Sequence, residues 1–274
     1  MVWILLAVLA AFSGGLTRWS ETGPIFALPA VGALTDLGFQ RVRFPRLRFP
    51  DAALATSLFL VLIIWPSTVD LALVSVTIAS VGLRHAVRLG GHPLLNPVAV
   101  GLTFGAVVFA IPSSWHVGVG ATHQGLIVAF GALLVARAPH TWRLPVFYFA
   151  AALPLSVALS FLQGSGSHWL SLLEAGGLAP GALFYGFFMA TEPRTAPSNR
   201  RAMIEYAALV GVAATGLPFL LTEITVLSGI GVLAPYLALF VGNLFTVALP
   251  SARGTQRATA QAPERLPARP APEA

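Results

Sequence analysis

The chain of 274 residues contains no cysteine and no lysine. Without cysteine it can hold no disulfide, no thiolate metal site and no iron–sulfur cluster on its own ligands. Without lysine, all sixteen of its basic side chains are arginines. Charge of either sign is scarce: 9% of residues are charged, against about 25% in a soluble domain. What fills the chain instead is apolar, with a hydrophobic fraction of 56% and a mean hydropathy of +0.80. These values exclude an ordinary soluble domain and predict a polytopic membrane protein. The long unbroken apolar runs predict helices packed in lipid rather than the alternating strands of a barrel. A pI near 11 does not point to nucleic acid, because the arginines punctuate apolar segments.

The fold class expected is all-α, a membrane helix bundle of about eight to ten spans. Residues 1–16 are read as a short first span, because the run starts almost without the basic region that a cleaved signal peptide usually needs. Residues 25–39 are a weaker run, holding Pro29 and Asp36, that fits either a span or a re-entrant segment. Eight clearer runs follow at 52–65, 71–83, 98–111, 125–136, 144–162, 169–190, 202–221 and 229–249. Alternating sides from the loop of Arg41, Arg43, Arg46 and Arg48 puts fifteen of the sixteen arginines on one side, and only Arg18 opposite. Positive loops stay cytoplasmic. The arginine-free loops 66–70, 112–123, 163–168 and 223–228 then face outward. Residues 1–251 form the transmembrane domain. Residues 252–274, rich in Ala, Pro and Arg without periodicity, are expected to be a disordered cytoplasmic tail. The expected location is the cell's inner membrane, multi-pass, with lipid as a partner and nucleic acid not.

One stretch organises the rest. Residues 186–201 read GFFMATEPRTAPSNRR, where an apolar run stops on charged groups at a depth where charge is costly. Pro180-Gly181 breaks that run from the one before it, leaving a piece of about half a bilayer's length. Broken helices ending on polar residues build sites in membrane carriers. A Pro-kinked helix meeting a basic loop gives the same pattern. Two further stretches stand out, GGHPLLNPVAVG at 90–101 and WRLP at 142–145. Asn96 and Pro97 suit the cap and first turn of a helix. That helix start, with its free N–H groups, equally suits an anion.

Together these stretches resemble one family: the D subunit of the Rnf electron-transport complex and the B subunit of sodium-translocating NADH:quinone reductase. GFFMATEPRTAP is similar to that family's FFMATDPVTSP signature, the 90–101 stretch to its GGLGxNxFNPAxVG, and WRLP to its WRIP. The likeness runs in family order over roughly residues 51–251. It implies a urea-channel-like fold of two inverted five-helix halves, and a flavin-binding subunit of a transmembrane electron-transfer complex, coupled to sodium or proton translocation. This chain is shorter than usual members before residue 51, which fits a simpler complex without pumping. No nucleotide-binding signature is present, so the electron donor belongs to other membrane or peripheral subunits.

The resemblance also implies site residues. Gly120, Ala121 and Thr122, in the outward loop 115–124, match the GAT core of the family's flavinylation motif D-x-x-S/T-G-A-T. A flavin transferase joins the Thr hydroxyl of that motif to the phosphate of FMN. Here the motif's Asp falls at His116 and its Ser/Thr at Val119. Gly90, Gly91, Asn96, Thr191 and Glu192 are the candidates for a second, non-covalent flavin near the cytoplasmic face. Asp70, Glu174, Glu192 and Glu205 are carboxylates in or beside spans, where ionisable groups are functional candidates. Glu192 and Glu174 are the candidates for coupling an ion; pairing of Glu192 with Arg194 or Arg201 is the bland alternative. Asp70 fits a helix cap. The six histidines lie in loops or at span edges, where transmembrane haem ligation is not expected. The alternative function is a channel or carrier for a small neutral solute, without flavin.

Overall fold

The computed structural model describes residues 2–11, 23–43, 47–64, 68–89, 92–112, 121–162, 180–191, 196–197, 199–223 and 233–248. Among them are ten α-helices: α1 Val2–Ala10, α2 Gly23–Arg43, α3 Asp51–Ile64, α4 Leu71–Ala86, α5 Pro97–Phe109, α6 Ala121–Arg137, α7 Arg143–Leu162, α8 Pro180–Phe184, α9 Arg200–Glu223 and α10 Ala234–Ala248. Among the described residues the bundle is all-α apart from one hairpin of two-residue strands, β1 (Arg88–Leu89) and β2 (His92–Pro93), paired antiparallel with Leu89 opposite His92. Pro139–Leu162 and Arg200–Leu221 are long and apolar enough to cross a membrane alone; five other helices are apolar but shorter.

The helix ends follow from local chemistry. Asp70 is exposed and caps α4, its carboxylate accepting from the Leu73 N–H at 2.8 Å. Asn96 caps α5, which ends on Ala110 in the left-handed region at φ 52°. Asn199 accepts from the Arg201 N–H at the start of α9. The weak run 25–39 lies within a continuous helix of 21 residues, about 31 Å long, that carries Pro29 inside it. That helix is long enough to span, but it is not among the helices apolar enough to cross a membrane alone.

At the centre stands α3. Six consecutive residues, Leu58 to Ile63, are all buried, and a helix apolar on every side belongs inside a bundle. α2 packs on α3 and α4, and α4 on α5; α9 lies between α7 and α10. Small residues let the helices approach closely, as they do in lipid. A Cβ on Gly101 would fall 1.7 Å from Ser80 Oγ, and one on Gly211 would fall 2.6 Å from the Tyr148 carbonyl oxygen. Buried hydroxyls are satisfied within their own helices: Ser57, Thr77 and Ser80 each donate to the carbonyl four residues back.

Helix α8 does not stop at Phe184. It opens into a π-helical turn, Tyr185–Met189, closed by the Ala190 N–H donating to the Tyr185 carbonyl at 2.9 Å. Phe184, Tyr185, Phe188, Met189 and Ala190 are buried. Phe184 and Phe188 stack at 5.1 Å, and Phe59 of α3 meets both edge-on. This aromatic contact seats the signature segment against the central helix.

Candidate functional site

Alternation of the helices brings the starts of α1, α3, α5, α7 and α9 to the same end of the bundle as the finishes of α2, α4 and α6. Arg41, Arg43, Arg48, Arg84, Arg88, Arg137, Arg143, Arg200 and Arg201 all lie near those ends. At this arginine-rich end the structure holds a cavity of about 320 Å³. That volume sits at the lower end of small-molecule sites, which run from about 300 to 1,000 Å³.

Its apolar wall comes from five elements: Val2 and Trp3 of α1, Ala52, Ala55 and Phe59 of α3, Val98 of α5, Leu134 and Val135 of α6, and Phe188 of the π turn. Its polar groups are few: Asp51, Thr56, Arg137, Thr141 and Thr191. The three threonines are buried. Each has already committed its hydroxyl proton: Thr56 to Ala52 O at 2.9 Å, Thr141 to Ala138 O at 2.8 Å, and Thr191 to Phe187 O. A hydroxyl that donates to its own backbone offers only lone pairs to a guest. The cavity is therefore an apolar slot lined with hydroxyl acceptors, with an exposed guanidinium, Arg137, beside it. That acceptor set suits a guest that brings an N–H, and the two charged groups at the cavity, Asp51 and Arg137, are of opposite sign.

The residues expected from sequence are distributed unevenly. Thr191 is in the cavity wall, with its neighbour in the signature, Phe188. Asn96 is 1% exposed and its oxygen accepts from the Val98 and Ala99 N–H groups at 3.0 and 3.1 Å. It acts through Val98: by capping α5 it fixes one panel of the wall. Ala121 and Thr122 are in the first turn of α6, so this part of the expected loop 115–124 is helix. Thr122 and Arg137 are fifteen residues apart on one helix, about 22 Å along its axis. Thr122 and the cavity are thus at opposite ends of α6. Gly90, Gly91, Gly120, Glu174, Glu192 and the tail 252–274 lie outside the described residues. Glu205 pairs with Arg201 at 2.7 Å.

Sequence reasoning missed Thr56, Thr141, Asp51 and Arg137 as a set. They come from three separate elements, and each alone reads as a hydroxyl in a span or a charge at its edge. It also left Asp36 out of the carboxylates in spans and placed His85 at a span edge. Both are buried, at 2% exposure.

Comparison with known proteins gives two findings. The family described as NQR2, RnfD, RnfE matches residues 111–221, the segment that runs from the end of α5 through α6, α7 and the π turn into α9. The chain is also similar to the D subunit of the ion-translocating oxidoreductase complex of Marinobacter nauticus (strain ATCC 700491 / DSM 11845 / VT8), 33% identical over 85 residues. That stretch covers 31% of this chain and 23% of the relative, so the likeness spans under a quarter of the relative's length.

Proposed function

We propose that this chain, whose residues 111–221 match the NQR2, RnfD, RnfE family, is a flavin-binding membrane subunit of an ion-translocating oxidoreductase complex. The observation that carries the reading is the cavity. Two residues of the family-like signature, Phe188 and Thr191, line an apolar cavity of about 320 Å³ at the arginine-rich end. A flavin, when bound, supplies one- and two-electron chemistry that no side chain here can supply.

The chain's own residues bind and orient. Phe59 and Phe188 flank the slot and exclude water. The lone pairs of Thr56, Thr141 and Thr191 accept from a ring N–H, and a buried acceptor set selects for a guest that brings one. Arg137 counters an anionic tail. Glu192 follows Thr191 directly in sequence and remains, with Glu174, the candidate for coupling an ion.

A second flavin, FMN joined covalently to Thr122, belongs to the same reading. It would sit at the far end of α6, held by its bond rather than by a cavity. The two ends of α6 would then carry the two flavins on opposite sides of the bundle. The oxidation of the electron donor belongs to partner subunits.

Flavin analysis of the native protein tests the cavity directly. Purified in mild detergent, the chain should release one non-covalent flavin per molecule on denaturation. The combined Thr191→Val, Phe188→Leu variant should release far less, measured per molecule of protein that remains folded. A wild-type protein that releases none, and binds none when FMN is added, overturns the reading and favours a small-solute channel.

A further inference from the structure

We infer that Asp36 and His85 form a proton-binding site buried between α2 and α4, near the arginine-rich end. His85 Nε2 lies 2.6 Å from Asp36 Oδ1, and both side chains are almost fully enclosed. The second carboxylate oxygen is held as well: Gln40 Nε2 donates to Asp36 Oδ2 at 2.6 Å. Gln40 cannot turn the other way, because its own oxygen accepts the Arg48 N–H at 2.7 Å. The Phe39 ring stacks on the imidazole, 5.1 Å between centroids and 8° from parallel. Arg43 reaches across to donate to the His85 carbonyl. The pair is thus fixed from three sides by α2 and the segment after it.

Its chemistry is that of a one-proton store. With a neutral ring, Nε2–H donates to the carboxylate, and the pair carries one net negative charge in a buried place. His85 Nδ1 is then a bare base, enclosed and without a partner among the described residues. One added proton makes the pair neutral, and the proton belongs to the pair rather than to either residue. An isolated carboxylate would be costly at this depth. The surrounding charges keep the store from filling permanently. α4 brings the buried Arg84, β1 brings Arg88, and α2 brings Arg41 and Arg43 at its end. α5 carries no titratable residue, and α3 carries only Asp51, at its start. A pair that only riveted α2 to α4 would have the same distances but would hold one protonation state.

Nitrogen NMR of the whole protein in lipid nanodiscs, with ¹⁵N-labelled histidine, separates the two. His85→Gln identifies the signal. In the wild type it should show one protonation step within the pH range over which the protein stays folded. Asp36→Asn removes the carboxylate that stabilises the charged ring, so the step should fall by about one pH unit or more. Gln40→Leu strips a donor from the carboxylate, so the step should rise. This second variant keeps the test decisive if Asp36→Asn does not fold. A wild-type signal that is constant across the range, or a step that neither variant moves, overturns the proposal. The titration is read without any flavin, so its outcome is separate from that of the flavin test.

Discussion

Gly131 of α6 is packed against Phe187 of the π turn so closely that a Cβ added at Gly131 would fall 2.5 Å from the ring. The signature segment rests on α6 because α6 offers no side chain there.

Gly131→Ala should therefore destabilise the bundle. Helix propensity favours alanine by about 1 kcal/mol, but overpacking costs about 1–3 kcal/mol, so the net loss should reach up to about 2 kcal/mol. Phe187 adjoins Phe188, so flavin retention should fall with it. Gly216→Ala is the control: its added methyl would find its nearest neighbour at 3.8 Å, and it should be neutral or slightly stabilising. Thermal unfolding of the two variants in detergent checks the pair.

Thr191→Val keeps the shape of the wall and removes one acceptor. Non-covalent flavin should bind more weakly by about 1–2 kcal/mol, a factor of about five to thirty. Thr191→Ser should retain most of the affinity. Arg137→Gln should weaken binding less in high salt than in low salt, because its charge is exposed and screened. Flavin titration by fluorescence quenching at two ionic strengths measures all three.

Asn96 is a structural part of the wall rather than a ligand, and its variants should divide accordingly. Asn96→Ala loses two capping bonds and should cost about 1–2 kcal/mol in stability. Asn96→Asp keeps the cap and adds a favourable charge at a helix start. It should melt close to wild type. Flavin stoichiometry in protein that remains folded should be the same in both. A selective loss of flavin from stable Asn96→Asp would show that the residue touches the ligand.

Covalent attachment at Thr122 has its own readout. Co-expressed with a flavin transferase, the wild-type band should fluoresce yellow in a denaturing gel, and the Thr122→Ala band should not. Equal fluorescence in both would place the bond on another residue. A dark wild type would mean that the changes at His116 and Val119 abolish recognition.

Much of the bundle was legible in sequence because lipid leaves few options: apolar runs must be helices, and breaks must be loops. The caps at Asp70 and Asn96 were legible too, since the residue types and the next-door helix start are local. Thr191 could be picked out because the signature carries it. The cavity could not, because its polar groups come from α3, α6, Thr141 and the π turn, and no spacing in the chain links them. Asp36 and His85 were hidden for the same reason. They are 49 residues apart, one in a weak apolar run and the other at a span's end. Only the packing of α2 on α4 makes them partners.

The π turn is a place where the helix takes up one extra residue. Its wide closure, Ala190 back to Tyr185, accommodates one residue more than an α turn would, and the side chains after it keep the direction that a regular helix one residue shorter would give them. Delete one residue from 185–189 and the segment can relax to ordinary α geometry with Thr191 still at the cavity wall. The same deletion in an unbroken helix would turn everything beyond it by about 100°. The turn therefore absorbs a change of length at the one place in the chain where the site depends on direction.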